Sequence, residues 1–121
     1  MKKLRVLVVD DSLYMRSLIK IALMKQPYEI VGEAGDGSIA VQMIKKLEPD
    51  VVILDNILPD MLGVEILEIV RNEGISTKVV MVSQMTLGEL GERARSLGLD
   101  GYITKPFESE DIIKELSKIS A

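Results

Sequence analysis

Cysteine, histidine and tryptophan are all absent from the 121 residues. Without cysteine there is no disulfide, no thiolate metal site and no thiol nucleophile; without histidine there is no imidazole catalysis, no histidine-ligated metal and no phosphohistidine on this chain. Aromatic residues are also few, three tyrosines and one phenylalanine, so the core must be aliphatic. Long apolar runs are missing. The opening MKKLRVLVVDD begins like a secretory leader, but Arg5 and the Asp10-Asp11 pair interrupt it, and no later run is long enough to span a bilayer. The expectation is a cytoplasmic protein. A net charge of −4, with the basic residues scattered, gives no footprint for nucleic acid or an anionic membrane. Chemistry on this chain must rest on carboxylates, hydroxyls and lysine.

What is present is ordinary for one folded domain. Hydrophobic residues make up 47% and charged residues 28%, and the length suits a single core spanning residues 1–121. Five short apolar runs alternate with five segments of helical period. The runs are LRVLVV from Leu4, EIVGEA from Glu29, VVIL from Val51, VVMV from Val79 and GYI from Gly101. Met15, Leu18, Ile19, Ala22 and Leu23 space as one helix face, and Ala40, Met43, Ile44 and Leu47 repeat the pattern. A third helix is expected from Gly63 to about Glu73. Leu87, Leu90, Ala94 and Leu97 mark a fourth, opened by the capping box Thr86-Leu87-Gly88-Glu89, and Ile112, Leu116 and Ile119 mark a fifth after Ser109. Strands that are β-branched and nearly continuously apolar are buried on both faces, so the fold class is α/β: a five-stranded parallel sheet between helices, doubly wound and flavodoxin-like, in the order 2-1-3-4-5.

In such sheets ligands bind beyond the carboxyl ends of the strands. There the polar residues collect. Asp10 and Asp11 follow the first strand, Asp55 the third, Ser83 the fourth, and Thr104, Lys105 and Pro106 the fifth. Each has a plain structural explanation alone: Asp10, Asp11 and Ser12 as a helix N-terminus, Asp55 as a turn cap, Lys105 as a solvated lysine, Tyr102 as core. None of these explains why all of them gather at one sheet edge. Three carboxylates together repel unless a cation sits among them. All-oxygen ligation points to Mg²⁺ or Mn²⁺. A lysine opposite the metal suggests an anion held between two positive charges, and a carboxylate facing a phosphoryl group is placed to form an aspartyl phosphate.

These residues resemble the receiver domain of two-component response regulators. VLVVDDS at 6–12, LDNILPDMLG at 54–63, MVSQM at 81–85 and GYITKPF at 101–107 stand in that family's order and spacing, and DDSLYMR is most similar to the stand-alone chemotaxis, CheY-like type. The resemblance implies a phosphoacceptor at Asp55, with Asp11 as a direct Mg²⁺ ligand, Asp10 acting through a metal-bound water, and the Ile57 carbonyl completing the protein ligands. It implies that Lys105 contacts the phosphoryl group and precedes a cis peptide to Pro106, that Ser83 is the switch hydroxyl and Tyr102 the aromatic switch residue whose ring turns inward. It further implies a sensor histidine kinase as phosphodonor and a downstream protein target on the face of helix four, strand five and helix five. Such a domain is a monomer or a phosphorylation-dependent homodimer. It is a signalling module, catalysing only its own phosphorylation and slow dephosphorylation. Asn56, Leu58 and above all Gln84 depart from the family pattern. Gln84 stands where Ala or Gly flanks the approach to the phosphoryl group. Ile57 and Met85 hold two positions that tune hydrolysis, and both are apolar, so a long-lived phosphoryl state is expected.

Two other readings compete. An Mg²⁺-dependent phosphatase using Asp55 as nucleophile would need a second acid two residues on, where Ile57 stands. A degenerate receiver that binds without being phosphorylated would draw on Gln84 and Asn56 alone. The glycines of GEAGDG have the wrong order for a dinucleotide loop. Gly88 and Gly91 in the fourth helix, each about 1 kcal/mol worse than Ala, make that helix the expected mobile element.

Overall fold

A computed structural model describes residues 3–119. Five strands, β1 (Leu4–Val9), β2 (Tyr28–Ala34), β3 (Val51–Asp55), β4 (Lys78–Ser83) and β5 (Gly101–Thr104), alternate with α1 (Leu13–Leu23), α2 (Gly37–Leu47), α3 (Gly63–Asn72), α4 (Leu87–Ser96) and α5 (Ser109–Ser117). All strand pairings are parallel, in the order β2-β1-β3-β4-β5. This is the flavodoxin-like arrangement. Every residue of β3 is buried, as befits the middle of a sheet covered on both sides. The alternation of side chains splits the core in two: Leu7, Leu54 and Met81 face α2 and α3, while Val8, Ile53 and Val82 face α1 and α5. The register between β1 and β2 slips after Val6, passing over Val31.

Helix starts follow local chemistry. The Ser12 hydroxyl accepts from the Met15 amide at 3.2 Å, the Asp36 carboxylate from Ile39 at 2.8 Å and the Thr86 hydroxyl from Glu89 at 3.1 Å, each meeting an N–H the helix leaves unpaired. The turn expected at Asp36 is thus also the cap of α2. At α3 the cap position is Leu62, which offers no such acceptor.

The fourth helix departs from its sequence pattern. Gly91 sits at φ 78°, ψ −174°, so α4 is two pieces joined by a break. That conformation is open essentially to glycine alone. Ala94, in the second piece, is fully buried and Leu90 partly so; the side chain of Leu87 lies outside the described residues. The second piece is fastened to its surroundings. Arg93 reaches Glu68 of α3 at 2.7 Å, and Arg71 of α3 donates to the carbonyls of Leu97 (3.0 Å), Gly98 (3.1 Å), Ile75 (2.9 Å) and Thr77 (2.8 Å) and to the Asp100 carboxylate (3.2 Å). Among the described residues no comparable anchor holds the first turn.

At the amino edge of the sheet an open cleft of about 650 Å³ lies among Leu4, Ile44, Pro49, Ile75 and Thr77, crossed by the Lys45–Glu73 ion pair at 3.0 Å.

Candidate functional site

Parallel pairing aligns the strand ends so that the residues following them meet. In register, Asp55 stands beside Val82 and Ser83 beside Thr104, which brings Lys105 to the same edge. The Lys105 ammonium lies 3.3 Å from Asp55 Oδ2 and 3.7 Å from Asp10 Oδ2, and carboxylate oxygens of Asp10, Asp11 and Asp55 all fall within 4.8 Å of one another. Asp10 and Asp55 are buried, 2% and 5% exposed, and Asp11 is exposed. Asp11 is thus the wet side of the cluster.

The electrostatics are out of balance as they stand. Three carboxylates against one ammonium leave an excess of two negative charges in a mostly buried place. Burial pushes the Asp10 carboxyl above its ordinary range, the neighbouring Asp55 and Asp11 charges push the same way, and the Ser12 amide and Lys105 oppose them. One divalent cation would cancel the excess, and the donor set, all oxygen, suits a hard ion. The Ile57 amide bonds Asp55 Oδ1 at 3.2 Å, while its side chain is 60% exposed.

The remaining expected residues lie on β4, on or just after β5, and in the loop after β4. Ser83 is buried at 3% exposure; its hydroxyl accepts from the Met85 amide at 3.0 Å and its carbonyl from the Lys105 amide at 2.8 Å. The Lys105–Pro106 peptide is cis. Gln84 is exposed and Met85 half-buried. Tyr102 packs against the core beneath α2 and α3, and its hydroxyl is buried without a hydrogen-bond partner among the described residues.

An all-oxygen acidic cluster, a partly buried lysine bridging two of its members and a hydroxyl on the adjoining strand coincide with one family description over nearly the whole chain. The response regulator receiver domain matches residues 6–117. The chain belongs to that family. As a receiver it is 34% identical to the chemotaxis protein CheY of Thermotoga maritima, over 96% of this chain and 97% of that protein. It is 46% identical to protein-glutamate methylesterase/protein-glutamine glutaminase 1 of Caulobacter vibrioides, over all of this chain but 36% of that longer protein. The crystal structure of the CheX-CheY-BeF3-Mg²⁺ complex from Borrelia burgdorferi is similar at a TM-score of 0.88 and 25% identity, covering 95% of this chain and 87% of that one. Receivers are signalling modules of two-component systems, and the acid cluster here fits their phosphoacceptor and metal pocket.

Three residues of this receiver's site region had no sequence signal for the contacts they make. Arg16 of α1 donates to the Asp10 carbonyl at 2.6 Å and to Glu33 of β2 at 3.0 Å, fastening the β1–α1 loop. Asp60 accepts from the amides of Gly37 at 2.7 Å and Ser38 at 2.9 Å, which holds its carboxyl below the ordinary range and pins the loop bearing Ile57 to the start of α2. Asn56 is buried at 3% exposure, and its amide bonds the Met85 thioether at 3.7 Å. Their partners are backbone groups or side chains on other elements, which no spacing rule indicates.

Proposed function

We propose that this receiver accepts a phosphoryl group on Asp55 from the phosphohistidine of a sensor histidine kinase and thereby switches its α4–β5–α5 surface for a downstream protein. The observation that carries the reading is Lys105 lying within 3.3 Å of Asp55 and 3.7 Å of Asp10, beside an acid cluster of matching size. Asp10, Asp11, Asp55 and the Ile57 carbonyl are the groups that would hold Mg²⁺, or Mn²⁺ in its place. When bound, that ion supplies charge neutralisation for the phosphoryl oxygens. A carboxylate oxygen of Asp55 attacks phosphorus as the nitrogen–phosphorus bond of the donor breaks, and the leaving imidazole takes a proton from solvent. Lys105 meets the charge that gathers on the transferring oxygens. The exposed Leu13, Tyr14, Ile57 and Leu62 belong to segments at this edge and offer a donor protein apolar contacts.

Switching follows from the hydroxyl. Ser83 leaves the Met85 amide for the phosphoryl group, the β4–α4 loop is released at that point, and Tyr102 responds from beneath it. The Mg²⁺-dependent phosphatase reading lacks a general acid two residues after Asp55, where Ile57 presents a methyl-rich side chain. Intact mass after incubation with acetyl phosphate, with and without Mg²⁺, tests the proposal. The expected result is a single Mg²⁺-dependent phosphoryl adduct on the native chain and none on Asp55→Asn. No adduct on the folded native chain, or an equal one on the variant, would overturn it.

A further inference from the structure

Asn56, next to the phosphoacceptor, has all four of its polar groups engaged. Its N–H donates to the Val82 carbonyl at 3.0 Å and its carbonyl accepts from Gly63 at 2.6 Å, bonds that any residue could form there. The side chain adds two that need a carboxamide: Oδ1 accepts from the Val64 amide at 3.3 Å, and Nδ2 donates to Met85 Sδ at 3.7 Å. A buried carboxamide is costly unless paired at both ends. Here the α3 end fixes its orientation and so aims the NH₂ at the β4–α4 loop.

That loop is tied to the site at Met85 twice, by its amide to Ser83 Oγ and by its thioether to Asn56. On the phosphoacceptor reading, the first tie is lost when Ser83 turns to the phosphoryl group. We propose that Asn56 is a positioning residue that keeps the Met85 side chain at the rim of the site after Ser83 has moved, and so lengthens the life of the phosphoryl group. In hydrolysis a water oxygen attacks phosphorus, the bond to the Asp55 carboxylate breaks with its electron pair returning to that carboxylate, and the water proton passes to solvent as phosphate leaves. An apolar side chain held at the rim hinders the water and offers no group to orient it. Released from Asn56, the same side chain swings away with the loop.

The test follows the decay of the phosphoryl adduct by intact mass on the full chain, after charging with acetyl phosphate and Mg²⁺ and removing the donor. Met85→Leu keeps the apolar bulk, removes the sulfur acceptor and leaves the Asn56–Val64 bond in place. Asn56→Leu removes the donor. Each is expected to shorten the half-life about fivefold, the worth of one modest hydrogen bond, and the double variant to decay no faster than the quicker single. The rate of adduct formation should stay within about twofold, a split that general loosening of the fold would not give. Half-lives in Met85→Leu equal to native, or effects that multiply in the double variant, would overturn the proposal. Should Asn56→Leu lose the fold through its orphaned Val64 amide, Met85→Leu alone decides. Absence of any adduct on the native chain overturns the phosphoacceptor reading and this one together, whereas a normal adduct with unaltered decay overturns this one alone.

Discussion

Replacing Arg71 by methionine should show how firmly the second half of α4 is anchored. The guanidinium makes five hydrogen bonds, four to carbonyls of the α3–β4 and α4–β5 loops and one to Asp100, and its side chain is 20% exposed. Methionine keeps the apolar stem and removes every donor. The carbonyls of Ile75 and Thr77 lie deepest, Thr77 being 8% exposed; taking about 1 kcal/mol for each of these and about half as much for each of the wetter three gives a loss of about 3 to 4 kcal/mol. For 121 residues the unfolding entropy is about 0.25 kcal/mol per degree, so Tm should fall by about 12 to 16 °C. Urea unfolding at neutral pH measures the free energy directly, and Arg71→Lys, which retains charge but not the planar fork, should lose roughly half as much. Amide exchange should also quicken at Leu97 to Asp100. A loss under about 1 kcal/mol, or exchange unchanged there, would refute the idea that Arg71 fastens this corner.

Three further outcomes are expected. Gly91→Ala cannot hold φ 78°, ψ −174° without strain and meets nothing within 4 Å, so α4 should close into one helix: amide exchange across 88–92 should slow, and unaltered or faster exchange would count against a glycine joint. Leu62→Asp supplies the missing acceptor at the start of α3 and should raise stability by about 1 kcal/mol, read as a Tm about 4 °C higher; a Tm equal to native or lower would contradict it. In the metal-free protein the raised Asp10 value means that its stabilising share is complete below about pH 3.8 and is lost as pH rises through the folded-state value. Asp10→Asn should therefore be more stable than native at pH 7 and hold a smaller advantage at pH 3, measured by urea unfolding without Mg²⁺. An advantage constant with pH would show that burial does not oppose the Asp10 charge.

Much of this molecule was legible in the sequence because its elements obey simple periods. VVILD could only be an inner strand, and Thr86-Leu87-Gly88-Glu89 announced a helix start that the structure places at Thr86. The site edge was legible for a related reason: parallel strands deliver whatever follows them to one place, so Asp10, Asp55, Ser83 and Lys105 met without any knowledge of their distances. The break at Gly91 was not. Leu90, Ala94 and Leu97 keep helical spacing across it, and a propensity scale records glycine as a cost per residue, not as a change of direction. The Arg71 anchorage was equally hidden, since its partners are carbonyls, which every residue carries. The state of Tyr102 was hidden for a like reason: that its hydroxyl oxygen is buried with no partner among the described residues depends on the packing around β5, which no residue spacing records.

The two edges of the sheet carry different burdens, and that bears on how inherited or engineered variation in this chain should be interpreted. Around the amino-edge cleft, changes at Thr77 or Pro49, whose side chain and carbonyl are joined at 2.8 Å, act on how much folded protein exists. At the carboxyl edge, on the proposed function, changes at Lys105 or Asp11 are expected to act on what each folded molecule does. A survey that scores abundance and signalling side by side should therefore separate into two sets of positions, divided along the strands by little more than the five buried residues of β3.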